Sequence, residues 1–313
     1  MKETKKKIIT VAAVFLMAVL TVPVSAQDVD KSIAEGKMPA IEYKIVLNEN
    51  ALKFPVNDSG EPVLTAAIAK EFSDLGIIFE ADKTPVKKYY YMYALDKKGE
   101  FQDKGLIFRV REDRKKPAKS KVTLKSRQNS FEALDFATVD DVEYEFDAGA
   151  EGKPINDRKK ITHVYNTAFD FKYSPEKDFS AANGDLEFKK VWNWLESITS
   201  GEITSMLMKN YPSIVDASFP GFVDAGKFEG TYADTQKPLL GDIEFSIDYW
   251  TLKKNNKERK VVEISFSNEE DLSVENKKVY DMFYLELYKK LYDKGYVNKD
   301  QSSKTDIYLQ FFK

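Results

Sequence analysis

GLIFRVREDRKKPAKSKVTLKSR, residues 105–127, holds two alternating runs around a charged connector. In the first, Arg109 and Arg111 alternate with Phe108 and Val110. In the second, Lys121, Thr123, Lys125 and Arg127 alternate with Val122 and Leu124. Successive side chains on a strand point to opposite faces, so each run presents one basic face and one apolar face. Between them, Asp113–Lys116 and Pro117 favour a turn, since proline has no N–H to give to a ladder. The stretch reads as a β-hairpin, cationic on one side and apolar on the other. Its basic face is either the wet side of an antiparallel sheet or the lining of a concave anion site.

The other strands bear on that choice, because they repeat the device with acids. Ile41–Leu47 sets Glu42 and Lys44 against Ile41, Tyr43 and Ile45, and Asp141–Phe146 sets Glu143 and Glu145 against Val142, Tyr144 and Phe146. Asp242–Trp250 offers Glu244, Ser246 and Asp248, and Arg259–Ser267 offers Glu263, Ser265 and Ser267, each opposed to apolar residues. Lys87–Leu95 is a tyrosine-rich strand. A barrel covered outside by helices would have an apolar outer face and a charged lumen. Such a density of like charges repels unless the signs interleave or ions are held.

Helical spacing marks Val63–Asp74, Leu186–Ile198, Glu202–Lys209 and Glu269–Lys294. The apolar stripe around Trp194 reads as core. Thr162–Tyr173 reads as a weaker strand, the Gly- and Pro-punctuated stretch 211–241 as loops, and Asp306–Phe312 as a closing strand.

The N-terminus reads as a signal peptide, residues 1–26: a basic Lys2–Lys7 segment, an apolar Ile8–Val22 run and small residues before Gln27. Residues 27–39 read as a flexible leader. The expectation is a periplasmic or secreted protein of a Gram-negative bacterium, with no stable membrane anchor once the signal is removed. The absence of cysteine excludes disulfides, zinc thiolates and cysteine nucleophiles. Charged residues are 32% of the chain yet the net charge is −3, so no overall field draws nucleic acid and ion binding must come from local clusters.

In their order, Glu42-Tyr43-Lys44, Tyr89–Tyr93 with Asp96, Arg109-Val110-Arg111, Thr123-Leu124-Lys125, Glu143-Tyr144-Glu145 and the late Glu244, Asp248 and Glu263 resemble the CYTH domain of the triphosphate tunnel metalloenzymes. The likeness spans roughly residues 40–267. It implies an α+β fold built on an eight-stranded antiparallel β-barrel, with helices packed outside. One tunnel domain would cover 40–313, with an insert at about 150–240. It implies a triphosphate or polyphosphate ligand held by Lys44, Arg109, Arg111, Lys121, Lys125 and Arg127. Mg²⁺ or Mn²⁺ would sit on Glu42, Glu143, Glu145, Glu244, Asp248 and Glu263, with Glu42 and Glu263 carrying a metal-assisted phosphohydrolase reaction. The chain departs from the motif at Ala40 and Ser265, where acids would stand. Two further readings stay open: a non-catalytic binding protein for a phosphorylated or polyanionic ligand, and a CYTH-like scaffold or interaction protein. The lone His163 has no place in the scheme. Substrate identity and oligomeric state are not legible.

Overall fold

A computed structural model describes residues 26–36, 40–128, 142–150, 152–153, 155–182, 184–233, 243–254, 257–268 and 272–313. In chain order it contains α1 (Ala26–Ala34), β1 (Ala40–Leu47), α2 (Ala66–Ser73), β2 (Ile77–Phe79), β3 (Lys87–Tyr93), α3 (Glu100–Asp103), β4 (Leu106–Asp113), β5 (Lys121–Gln128), β6 (Val142–Gly149) and β7 (Thr162–Lys172). There follow α4 (Phe188–Ile198), α5 (Glu202–Asn210), β8 (Val223–Tyr232), β9 (Glu244–Lys254), β10 (Lys257–Asn268), α6 (Val274–Asp293) and α7 (Lys304–Phe312). Among the described residues no helix is long and apolar enough to cross a membrane.

The hairpin is β4–β5, paired so that Arg109 faces Thr123 and Arg111 faces Lys121. Its turn is held by Asp113, whose carboxylate accepts from the amides of Lys115 and Lys116 at 3.0 and 2.8 Å. Phe108, Val110, Val122 and Leu124 are buried outside the lumen against Phe188, Val191, Leu195 and Leu207 of α4 and α5. Each such side chain contributes on the order of 1.5–3 kcal/mol by leaving water. The opposite wall is covered by α6 through Tyr280, Phe283, Tyr284 and Leu287, packed on Tyr43, Phe245 and Phe266.

The ring closes in the order β8-β3-β4-β5-β7-β6-β1-β10-β9, with β9 returning to β8 and β2 lying outside on β8. The expected eight antiparallel strands are thus corrected to nine among the described residues. An odd ring cannot alternate direction all the way round, so one neighbouring pair must run parallel. That pair is β1–β6, with Ala40 beside Glu145 and Glu42 beside Asp147.

Two of the nine staves come from the stretch expected as an insert, and only the first of them was expected as a strand. β7 lies between β5 and β6, and β8 lies within the segment read as loops. Its glycines mark close approach rather than turns: a Cβ on Gly226 would lie 2.4 Å from Pro85 and one on Gly230 2.7 Å from Phe79. Asp306–Phe312 is likewise corrected from strand to helix. The Ser303 hydroxyl accepts from the Asp306 amide at 3.1 Å and caps α7. Within the stretch read as leader, α1 buries Val29 and Ile33.

Outside the lumen a charged cluster lies under α6. Asp281, 1% exposed, accepts from Tyr43 Oη at 2.8 Å, from Lys277 Nζ at 2.8 Å and from Arg158 Nη2 at 2.7 Å. Beside it on β7, burial and then the Lys277 ammonium push His163 down to about 4, against the opposing pull of Asp281. An unfolded imidazole titrates near 6.5, so above that pH the ring is neutral in both states and its contribution to stability is complete. As pH falls from about 6.5 to about 4 the unfolded chain takes a proton that the folded chain refuses, and stability drops by up to ~1.4 kcal/mol per unit. Melts from pH 7 to 4 should therefore show a flatter decline for His163→Gln than for the natural chain. Equal slopes would assign the decline to carboxylates instead.

Candidate functional site

Two facing walls of opposite sign line the lumen. On the basic wall, Arg109 donates to the Thr123 hydroxyl at 3.1 Å and lies 5.6 Å from the centre of the Tyr91 ring. Arg111 lies over Tyr89 at 5.1 Å and reaches the Lys119 carbonyl at 3.5 Å. Among the described residues neither arginine has a carboxylate partner, and the Nε of each is buried without a hydrogen bond. The tyrosine faces hold the guanidinium planes by cation–π attraction and leave their edges free to donate. The remaining cations are engaged. Lys121 pairs with Asp170, which also accepts from Thr123 at 2.6 Å. Lys125 pairs with Glu145, and Arg127 donates to Ser303 at 2.8 Å and lies 3.4 Å from Asp306.

On the acidic wall, the parallel β1–β6 contact brings Glu42, Glu145 and Asp147 together, with one carboxylate oxygen from each lying within 4.8 Å of the others. Lys44 Nζ stands among them, 2.7 Å from Glu42 and 2.5 Å from Asp147. Burial raises the Asp147 carboxyl, but Lys125, Lys44 and Arg127 outweigh it and hold the group well below the usual carboxylate range. Glu42 is lowered for the same kind of reason, burial being outweighed chiefly by Lys44. Against the burial that lowers it, the Asp147, Glu42 and Glu145 carboxylates hold the Lys44 ammonium well above its ordinary value.

A second acidic pair, Asp248 and Glu263, sits in register across β9–β10. Lys304 of α7 pairs with Asp248, lies 2.9 Å from Glu263 and stands 5.3 Å from the Trp250 ring centre. Burial pushes the Glu263 carboxyl up despite Lys304 and Lys44.

The expected metal set forms two adjoining groups. Glu42 and Glu145 converge. Asp248 and Glu263 converge on Lys304, near enough to the first group that Lys44 acts on both of them and Lys304 acts on Glu42. Glu244 stands at the rim, 3.7 Å from Lys87. The Glu143 side chain lies outside the described residues. Of the expected anion ligands, Lys44, Arg109, Arg111, Lys121 and Lys125 line one lumen, while Arg127 is drawn to α7. Asp147 was missed although it is the next residue in the Glu143–Glu145 alternation. Asp170 alternates likewise on β7. Lys304 had no local signal, since it reaches the lumen from a helix.

Oxygen-only donors from three carboxylates suit a hard divalent cation. The Lys44 ammonium stands among them, so the cluster already holds one positive charge, and its oxygens could hold a divalent cation instead.

No family profile and no curated protein matches the sequence. Solved structures align over most of the chain. A Hippeastrum protein described as a candidate adenylyl cyclase with a dominant triphosphatase activity is 13% identical, covers 88% of this chain and 96% of its own, with TM-score 0.38. A candidate adenylate cyclase of Bacillus halodurans is 13% identical over 88% of this chain and 100% of its own, with TM-score 0.41. One of Vibrio parahaemolyticus is 9% identical over 86% and 97%, with TM-score 0.35. With every score below 0.5, the functional reading rests on the lumen itself; its closed barrel is consistent with the CYTH resemblance.

Proposed function

We propose that the lumen binds a linear condensed phosphate, such as tripolyphosphate, and hydrolyses it with a divalent cation. The observation that carries this reading is the pair of lumen arginines, Arg109 and Arg111, each fixed on a tyrosine face and lacking an acidic partner among the described residues. A planar guanidinium fork suits phosphate oxygens, to which it donates in pairs. Glu42, Glu145 and Asp147 would hold the cation, which when bound supplies charge neutralisation on the phosphoryl oxygens. Lys44 and Lys125, which pair with those carboxylates, would supply ammonium donors to the ligand. With residues 1–26 taken as an export signal, an inorganic condensed phosphate suits the compartment better than a nucleotide.

The test is phosphate release from tripolyphosphate and ATP with Mg²⁺, Mn²⁺ or EDTA. Release that requires metal is expected, and Glu42→Gln should lower it by at least about 10- to 100-fold, the range for loss of a group that only supports a metal ligand. Turnover unchanged in Glu42→Gln would remove Glu42 from the site.

A second reading, binding without turnover, is favoured by a specific observation. Lys44, Lys125 and Lys304 already neutralise the carboxylates, and Ala40 and Ser265 stand where further acids were expected. No release, with a melting temperature raised by tripolyphosphate, would select it; ligand at 100 times Kd adds about 2.7 kcal/mol to stability.

A further inference from the structure

Asp248 and Glu263 stand opposite one another across β9–β10 and face the lumen, as their alternation with the buried Ile247, Tyr249, Val262 and Ile264 requires. A carboxylate pair beside a first acidic group is the kind of place where a second divalent ion completes a two-metal clamp on a phosphoryl group. Here an ammonium has that place. Lys304 Nζ pairs with Asp248, lies 2.9 Å from Glu263 and has the face of Trp250 at 5.3 Å.

Lys304 is the first residue of α7, directly after its Ser303 cap. A positive charge in the first turn opposes the helix dipole, which favours an acid there, so what holds a lysine at this position lies in the lumen and not in the helix. The helix keeps it in place. Ile307, Tyr308 and Phe312 are buried among Val46, Tyr93, Trp250 and Leu252, and the Tyr308 hydroxyl donates to the Gly221 carbonyl at 2.6 Å. The two acidic groups also differ in their access to water. Side-chain exposure is 27% at Glu42 and 31% at Glu145, but 1% at Glu263. A small hard cation gives up its water reluctantly and keeps several molecules of it when bound. The Glu42 group has room for them; the Asp248–Glu263 pair is dry around Lys304.

We propose that Lys304 is a tethered counter-cation standing in the second metal position, so that this lumen takes one divalent ion and not two. The inference rests on the reading of Glu42, Glu145 and Asp147 as the metal-holding group, and adds the number of ions and the residue that fixes it. The ion on the Glu42 group exchanges with solvent and is removed by a chelator. The charge on Lys304 is part of the chain and is not. Lys44 and Lys227 also bear on Asp248, and Lys44 on Glu263, so the pair carries little charge in excess for a further divalent ion.

The experiment titrates the full chain, stripped of metal, with Mn²⁺ alone, and reads stoichiometry by calorimetry and the Mn²⁺ signal by electron paramagnetic resonance. The natural chain should bind one Mn²⁺. Lys304→Ala, which frees the carboxylate pair and leaves space for a hydrated ion, should bind two, with the resonance broadened by the neighbouring pair. Its melting temperature should also rise more with Mn²⁺ than that of the natural chain. Should Lys304→Ala fail to fold, Lys304→Gln keeps most of the stem, supplies an amide oxygen and should gain the second ion as well. Adding Asp248→Asn to either variant should return the count to one, which separates the lumen pair from surface carboxylates. Two ions in the natural chain, or one in both Lys304 variants, would overturn the role of Lys304 and leave the Glu42 group standing. None in the natural chain but one in Lys304→Ala would overturn the Glu42 group and with it the count of one. None in any variant would overturn both.

Discussion

Asp281→Ala is expected to destabilise the fold by about 3–5 kcal/mol, the range for removing one partner of a buried ion pair. Asp281 answers Lys277, an ammonium with no solvent exposure, as well as the Arg158 guanidinium and the Tyr43 hydroxyl. Without the carboxylate, Lys277 keeps only Asp30, at 3.3 Å, and Arg158 and the Tyr43 hydroxyl lose their acceptor in or near the core. A domain holds only about 5–15 kcal/mol in total, so the loss is a large share of it. Urea unfolding measures this directly, with a lower midpoint at an unchanged slope. Lys277→Met combined with Asp281→Ala should recover part of the loss, since no buried ammonium then rests on Asp30 alone. If the double variant were no better than the single, the cost would lie in packing rather than charge.

Arg109→Ala is the largest expected effect on binding. Hydrogen bonds to charged groups contribute about 1.5–3 kcal/mol, so tripolyphosphate affinity should fall roughly 10- to 150-fold. Stability should change little, because among the described residues Arg109 has no ion pair to lose and gives up its hydrogen bonds to Thr123 and Tyr93 and a ring contact. Arg109→Lys should restore little, for an ammonium lacks the fork and stacks less well on Tyr91. A variant that lost affinity and melting temperature in proportion would show Arg109 to be structural.

The sequence disclosed the parts of this molecule that have a local period. Arg109, Arg111, Lys121 and Lys125 alternate with buried apolar residues, and two-residue periodicity alone places them on one face. Strand number was less legible, because Gly226 and Gly230 look like turn residues until Pro85 and Phe79 are seen against them. α7 was misread because Ile307, Leu309 and Phe311 alternate as in a strand, whereas the buried Ile307, Tyr308 and Phe312 follow helical spacing. The grouping of carboxylates was beyond local reading altogether. Glu42 meets Asp147 through a parallel register, and Lys304 meets Asp248 across 56 residues of chain. Neither follows from any window of neighbouring residues.

The pairing of β1 with β10, Ile41 beside Asn268 and Leu47 beside Val262, has a consequence for synthesis. Sequence separations of this size make ring closure slow, since loop-closure entropy must be met before the contacts form. A nascent chain that has not yet produced residue 268 cannot complete the ring. Until then β1 offers an unpaired edge that can template pairing with another chain. Folding of this protein is therefore expected to follow synthesis rather than accompany it, with β1 the strand most in need of shelter meanwhile.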